Sequence, residues 1–323
     1  MKSRKLGRTN LDVSEIGHGL WGMGGWTGSD DGQSTQALHL AAGLGCTFFD
    51  SAQAYGNGKS DRLLGDLLRS HAGKPLIGAS KVPPKNGKWP AEASDRLEDV
   101  FPLDHVLRST EAILKNLGLD HIDVLQFHVW SDAWAHNELW MRTVRRLKDE
   151  KIVRAFGLSL NRWEPDNGIL ALRTGMVDAV QVIYNIFDQA PEDKLFPVCK
   201  EMNIGVIARV PLDEGSLGGK MTRDTKFPEN DWRSRYFSPE NLLATMDRVD
   251  ALKELVPAGM TLPEMTFRFI LSNPVVSTVI AGMRKPEHVR ENISVSDGRG
   301  LEPELLQALR EHRWDRTAAE WSR

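Results

Sequence analysis

The chain of 323 residues predicts an α/β fold of the (β/α)8, or TIM barrel, class, with an N-terminal β-hairpin and long loops at the C-terminal face. Three observations predict it. Apolar runs rich in β-branched residues alternate about eight times with stretches of helical period, the mark of a parallel sheet covered by helices. Three segments that follow strand-like runs, residues 83–102, 131–137 and 212–239, are longer than a barrel needs. In a barrel all three rim the C-terminal face, where active sites are built. Finally, Gly17, Gly19, Gly22, Gly24 and Gly25 follow the first run without the Gly-x-Gly-x-x-Gly spacing of an open doubly wound sheet. Trp21 and Trp26 interrupt them where a phosphate cradle needs small side chains.

The elements follow in order. Residues 6–16, with Gly7 and Asn10 as turn formers, read as a hairpin closing the bottom of the barrel. The strand-like runs are residues 15–19, 47–49, 76–79, 122–127, 154–158, 179–183, 205–208 and 278–281. Val106, Ile113 and Leu117 line one helical face, which ends at Gly118 where a left-handed cap is expected. Trp140, Val144 and Leu147 do the same before the next strand. No linker or change of composition divides the chain, so residues 1–323 are expected to form one barrel domain.

Lys and Arg total 41 against 44 Asp and Glu, a formal net charge of −3, and neither sign forms a long run. That argues against nucleic acid or an anionic membrane and points to a small-molecule partner. Cys46 and Cys199 lie far apart in apolar helical contexts and read as reduced, buried thiols, which favours a cytoplasmic setting. No stretch reaches the ~18 apolar residues of a membrane span, and residues 1–10 lack the apolar core of a secretory signal. Neither His-x-His nor His-Glu-x-x-His occurs, so no metal site is expected.

Four polar residues fall just past the ends of three consecutive strand-like runs: Asp50 and Tyr55, Lys81, and His128. Each has an ordinary reading alone, as a helix cap, a rim aromatic, a solvated lysine and a core histidine. Together they converge at one end of a barrel and suit proton transfer. A phenol, with a reference pKa near ~10, needs a neighbouring cation to act near neutral pH. Lys81 can supply that charge, Asp50 can hold the lysine, and His128 can orient a substrate oxygen.

The segment Phe48-Phe49-Asp50-Ser51-Ala52-Gln53-Ala54-Tyr55-Gly56, followed by Ser60, Leu64 and Gly65, resembles the signature of the aldo-keto reductases, of bacterial type. Lys81 in Ala79-Ser80-Lys81 and His128 in Asp123-Val124-Leu125-Gln126-Phe127-His128 match that family's lysine and histidine, and the resemblance runs from Leu6-Gly7 to Asn292. It implies an oxidoreductase that moves a hydride from NADPH to the carbonyl carbon of an aldehyde or ketone, reversible as alcohol oxidation. Tyr55 is the implied proton donor. A histidine at position 128, where the family's steroid double-bond reductases carry Glu, points to carbonyl chemistry.

The resemblance also implies binding roles. Ser159, Asn161 and Gln181 are expected at the nicotinamide carboxamide, with Tyr184 stacked under the ring and Trp21 nearby. Arg209, Val210, Pro211, Leu212, Gly215, Leu217, Gly219 and Lys220 resemble the loop that covers the pyrophosphate. Ala281, Gly282, Arg284, Pro286, His288, Glu291 and Asn292 resemble the adenosine phosphate site, where a helix start also favours an anion, and Arg284 is the implied partner of the 2′-phosphate.

Trp21, Trp26, Trp89, Trp130, Trp134 and Trp232, with Tyr55 and His128, are expected to line the substrate pocket and to favour flat or cyclic carbonyl compounds, such as sugars or polycyclic ketones. Residues 83–102, 212–239 and 299–323 would set which substrate is taken; oligomeric state stays open. The alternative is an NADPH-binding regulatory protein with little turnover, like the potassium-channel β-subunits that keep the same four residues.

Overall fold

The computed structural model describes residues 1–26 and 28–316. A hairpin, β1 (Ser3–Lys5) and β2 (Asp12–Ser14), precedes eight parallel strands: β3 (Ile16–Gly19), β4 (Phe48–Asp50), β5 (Ile77–Val82), β6 (Ile122–Phe127), β7 (Val153–Ser159), β8 (Ala179–Ile183), β9 (Gly205–Arg209) and β10 (Val276–Gly282). They pair in chain order, and β10 pairs with both β9 and β3 to close the barrel. Each strand-like run of the sequence is one of these strands. β4 and β5 run further than their apolar runs, so Asp50 and Lys81 lie inside strands and not just beyond them.

The strand period of two explains why a polar site sits on an apolar floor. Inward-facing Phe48, Ile77, Ala79, Val124, Ala155, Ala179, Ile207 and Ile280 form one buried cluster with Leu6, Leu11 and Val13 of the hairpin region. The hairpin therefore plugs the lower end as the sequence predicts, beginning at Ser3. Two residues further along their strands, the same inward face carries Asp50, Lys81, Gln126, Gln181 and Arg209. The outward faces pack against helices. Leu103–Leu117 buries Val106, Ile113 and Leu117 and stops at Gly118, whose φ of 64° lets its N–H reach the Leu114 carbonyl. Glu138–Asp149 buries Trp140, Val144 and Leu147, with the Asn137 side chain capping its first turn.

Cys46 and Cys199 are both buried and form no disulfide, and burial pushes both thiols up to about 12. Among the described residues no helix is long and apolar enough to cross a membrane.

The three long segments rim the C-terminal face. Residues 83–102 carry the short helix Leu97–Val100, residues 131–137 a 3-10 turn at Asp132–Trp134, and residues 212–239 a 3-10 turn at Asp213–Gly218 and the helix Arg233–Tyr236. The tail crosses this rim. Arg313 holds both carboxylate oxygens of Asp193. Arg316 is buried, pairs with Asp188 and with Asp213 (2.9 Å), and donates to the Tyr236 hydroxyl (2.9 Å). Two carboxylates and a hydroxyl satisfy most of that buried guanidinium. Residues 317–323, the end of the expected 299–323 substrate segment, lie outside the described residues.

Candidate active site

Lys81 has no exposed surface. Its Nζ donates to Asp50 Oδ2 at 2.6 Å and to the Ser51 carbonyl at 2.7 Å. Asp50 Oδ1 accepts from two amides, Gln126 Nε2 at 3.2 Å and Gln181 Nε2 at 3.0 Å. Burial alone pulls the lysine's pKa down, but the charge of Asp50, its hydrogen bond and the adjacent Tyr55 outweigh that and hold it above the ordinary value. The ammonium is therefore fixed as a cation. Such a desolvated pair is tolerable only because nearly every donor and acceptor is matched.

Tyr55 stands in the loop after β4 with its ring centroid 5.0 Å from that ammonium. Its Oη lies 3.5 Å from His128 Nε2. Burial pushes the phenol's pKa up; Lys81 pulls it down, Asp50 raises it and Arg209 lowers it, and the net direction is upward. The lysine thus moderates an upward shift and does not bring the phenol below its ordinary value. The consequence is a hydroxyl that keeps its proton at neutral pH. Burial, Lys81 and Arg209 push His128 well below its ordinary value, so its imidazole is neutral. Trp89 meets the edge of that ring at 4.5 Å between centroids.

The loop bearing Tyr55 is backed by main chain. A Cβ on Gly24 would fall 2.8 Å from the Tyr55 carbonyl carbon, and one on Gly56, which has a φ of +63°, would fall 2.1 Å from the Gly24 oxygen. Gly24, among the glycines that follow β3, therefore serves close approach to the backbone of the Tyr55 loop, while Gly22 lies against the Arg284 side chain.

Three residues expected at the mouth are placed elsewhere. Tyr184 does not face the mouth of the barrel. Ala179, Gln181 and Ile183 take the inward positions of β8, which turns Tyr184 outward: its ring packs on Phe196 and Phe269 and its hydroxyl donates to Glu192 Oε1 at 2.5 Å. At that level Ile183 pairs with Arg209 of β9, so the inward place belongs to the arginine. Trp130 does not line a pocket either. It is fully buried, packs on Trp134 and Trp140, and spends its indole N–H on Asp132. Trp134 is likewise buried, its N–H donated to the Asp95 carbonyl at 2.7 Å, and so anchors residues 83–102.

The remaining predicted residues fall into three groups around the mouth. Ser159 tops β7 beside Gln181. Asn161 donates to the Ala91 carbonyl (3.0 Å) and Glu164 (2.8 Å), while its Oδ1 is buried without a partner. Arg209 donates to the Leu160 carbonyl (2.9 Å); burial and the nearby Arg162 bring its pKa down to about 10. In the second group, Val210, Asp213, Glu214 and Gly215 all have positive φ, while Pro211 and Leu212 sit between them. Glu214 pairs with Arg162 at 2.6 Å and Leu217 is buried. A non-glycine residue so placed costs on the order of 1–3 kcal/mol, and such strain collects at ligand clamps.

The third group surrounds the helix Pro286–Ser294. No side chain caps its start. Arg284 lies along Gly22, its Nη1 3.5 Å from the Gly22 carbonyl, and Lys220 stands near enough to His288 to lower that imidazole's pKa after burial has done so. Ala281 is buried and Gly282 exposed at the end of β10, and Glu291 is exposed beside the buried Asn292. Trp21, Trp26 and Trp232 cluster at the mouth, with ring centroids 4.3 and 6.2 Å from Trp21. Trp21 and Trp89 are 39% and 43% exposed, free to meet a ligand.

Sequence reasoning missed Gln126 and Arg162. Gln126 stands two residues before His128 and two after Val124 on the inward face of its strand, and that parity was a usable signal. Nothing local marks Arg162.

A closed eight-stranded barrel with a lysine, a carboxylate, a tyrosine and a histidine at its C-terminal mouth defines a class. The model of the Aldo/keto reductase family matches residues 15–313, and the chain belongs to that family of oxidoreductases. It is similar to the NADH-specific methylglyoxal reductase of Escherichia coli, with 28% identity over 307 residues covering 91% of this chain and 93% of that one. It is also similar to a probable voltage-gated potassium channel subunit beta of rice (Oryza sativa subsp. japonica), 25% identical over 92% of each. Among solved structures it resembles a glycerol dehydrogenase from Gluconobacter oxydans, with a TM-score of 0.79 and 25% identity over 96% of this chain and 94% of that one. An aldo/keto reductase from Klebsiella pneumoniae in complex with NADP and acetate gives a TM-score of 0.70 at 22% identity over 98% of each chain.

Proposed function

We propose that this protein is an NADPH-dependent carbonyl reductase, acting on aldehydes or ketones and running in reverse as an alcohol dehydrogenase. One observation carries the reading: Tyr55 Oη and His128 Nε2 stand 3.5 Å apart beside the buried Lys81–Asp50 pair. One carbonyl oxygen placed between them accepts a hydrogen bond from each. The neutral imidazole orients that oxygen, Tyr55 gives it a proton, and Lys81 stabilises the phenolate that remains. Bound NADPH supplies the hydride.

The residues present fit that cofactor. The partnerless Oδ1 of Asn161, with Ser159 and Gln181, suits the carboxamide of the nicotinamide, and Arg209 occupies the inward position beside it. The strained loop from Val210 through Leu217 to Lys220 would cover the pyrophosphate. The uncapped helix start with Arg284, Lys220 and His288 would receive the 2′-phosphate. The E. coli relative's name specifies NADH and the Klebsiella structure holds NADP; the cations at this helix start favour NADPH. Trp21, Trp26 and Trp89 would border a flat or cyclic substrate.

Arg284→Ala should raise KM for NADPH roughly 10- to 100-fold, the worth of a charged hydrogen bond, and leave KM for NADH nearly unchanged. Equal effects on both would remove the 2′-phosphate assignment. The wider test is NADPH oxidation across a panel of aldehydes, ketones and sugars. A reductase turns over at least one at about 1–10³ s⁻¹. Uniformly slow oxidation would favour the regulatory role that the channel-subunit relative suggests.

A further inference from the structure

Behind the Asp50–Lys81 pair, on the helix side of the barrel wall, lies a second buried carboxyl. Asp61, on the helix Lys59–Ser70, is fully buried. Its Oδ1 accepts hydroxyl bonds from Ser51 at 2.6 Å and Ser80 at 2.9 Å, and its Oδ2 has no hydrogen-bond partner. These serines adjoin the two charged residues of the site: Ser51 follows Asp50 and Ser80 precedes Lys81. Alternation along β5 turns Ser80 outward where Lys81 turns inward. Ser51 Oγ also meets Ser60 Oγ at 2.7 Å, and its carbonyl receives Lys81 Nζ.

A carboxyl buried with one bare oxygen carries a desolvation cost that an apolar side chain of similar size would not incur. Among the described residues, the bonds it does make run to the strand ends that carry the ion pair and, through Ser51, to Ser60. We propose that Asp61 is a positioning residue for proton transfer: through Ser51 and Ser80 it fixes the ends of β4 and β5, so that Lys81 Nζ is held between Asp50 and the Ser51 carbonyl beside the Tyr55 ring.

The charges near this group are few. Lys81 and Asp50 face Asp61 through the barrel wall, and both act on its carboxyl, which burial pushes up and the serine hydroxyls pull down. On its own helix, Lys59 pairs with Asp31 of the helix Asp31–Gly43, and Arg62 bonds Asn57 and Asn116 at the surface. The helix Leu103–Leu117 approaches through the main chain of Leu117 at Gly65, which carries no charge. Tyr55 itself is faced by Lys81, Asp50, Arg209 and His128.

This inference rests on Tyr55 as the proton donor, and Ser80→Ala tests it without changing any charge. With Lys81 held less firmly beside the phenol, kcat for reduction should fall about five- to tenfold, with KM for NADPH within about twofold. The high-pH limb of kcat/KM should move upward by about half a unit, because a more distant cation stabilises the phenolate less. Asp61→Asn keeps an oxygen for both serines and should hold kcat within about threefold, whereas Asp61→Ala should lose at least as much as Ser80→Ala. A folded Ser80→Ala enzyme with wild-type kcat and pH profile overturns the proposal, whatever its Tm; should Asp61→Ala fail to fold, Ser80→Ala decides alone. Tyr55→Phe, assayed alongside, separates the two readings: an active Tyr55→Phe enzyme sinks the proton donor itself, while an inactive one with an unshifted Ser80→Ala profile sinks only the role of Asp61.

Discussion

Tyr55→Phe should lower the rate of NADPH-dependent carbonyl reduction by about 10²–10⁴-fold, the usual worth of a positioned proton donor, while NADPH binding measured by fluorescence titration changes little. The substitution removes one oxygen and keeps the ring that packs beside Lys81. Geometry and cofactor contacts should survive, so the loss belongs in kcat and not in cofactor affinity. His128 cannot substitute: burial, with Lys81 and Arg209, holds its imidazole neutral and a poor acid. A Tyr55→Phe enzyme with wild-type turnover would refute the mechanism.

Lys81→Met should be nearly as inactive and, unlike Tyr55→Phe, less stable. Catalysis suffers because the phenolate left after proton transfer loses its cation. Stability suffers because Asp50 would keep two amide donors but no counter-charge inside the barrel, and breaking a buried pair from one side costs about 3–5 kcal/mol. Thermal unfolding at pH 7 should show a lowered Tm, which Tyr55→Phe should not. In the wild type the folded lysine's pKa lies above its ordinary value. The pair therefore contributes its full stability at neutral and mildly alkaline pH and loses it only as pH rises past the lysine range. A Lys81→Met protein as active as the wild type would exclude the lysine's electrostatic role.

What could be read from the sequence follows from where its information is local. Strand positions came from apolar runs, and the four central residues from their places at consecutive strand ends. Tyr184 and Trp130 went astray because the inward and outward alternation was not carried past the strand ends. Counting by twos from Gln181 reaches Ile183 and leaves Tyr184 outside, and β6 stops at Phe127, before the chain turns Trp130 into the helix layer. Asp61 carries no local signal of its own; only the folded chain brings it against Ser51 and Ser80. The pairs Arg162–Glu214 and Arg316–Asp213 join segments about 50 and 100 residues apart, beyond the reach of any local pattern.

The contact of Gly24 with Gly56 has a practical consequence for anyone remodelling this enzyme's selectivity. Trp21 and Trp26, which shape one wall of the mouth, share their loop with Gly24, so insertions or deletions there would shift Tyr55 along with the wall. Residues 83–102, which bring Trp89 against His128, have no such backbone contact with Tyr55 among the close approaches of the described glycines. Engineering for new substrates should therefore start from that second loop, and exchange side chains in the first without altering its length.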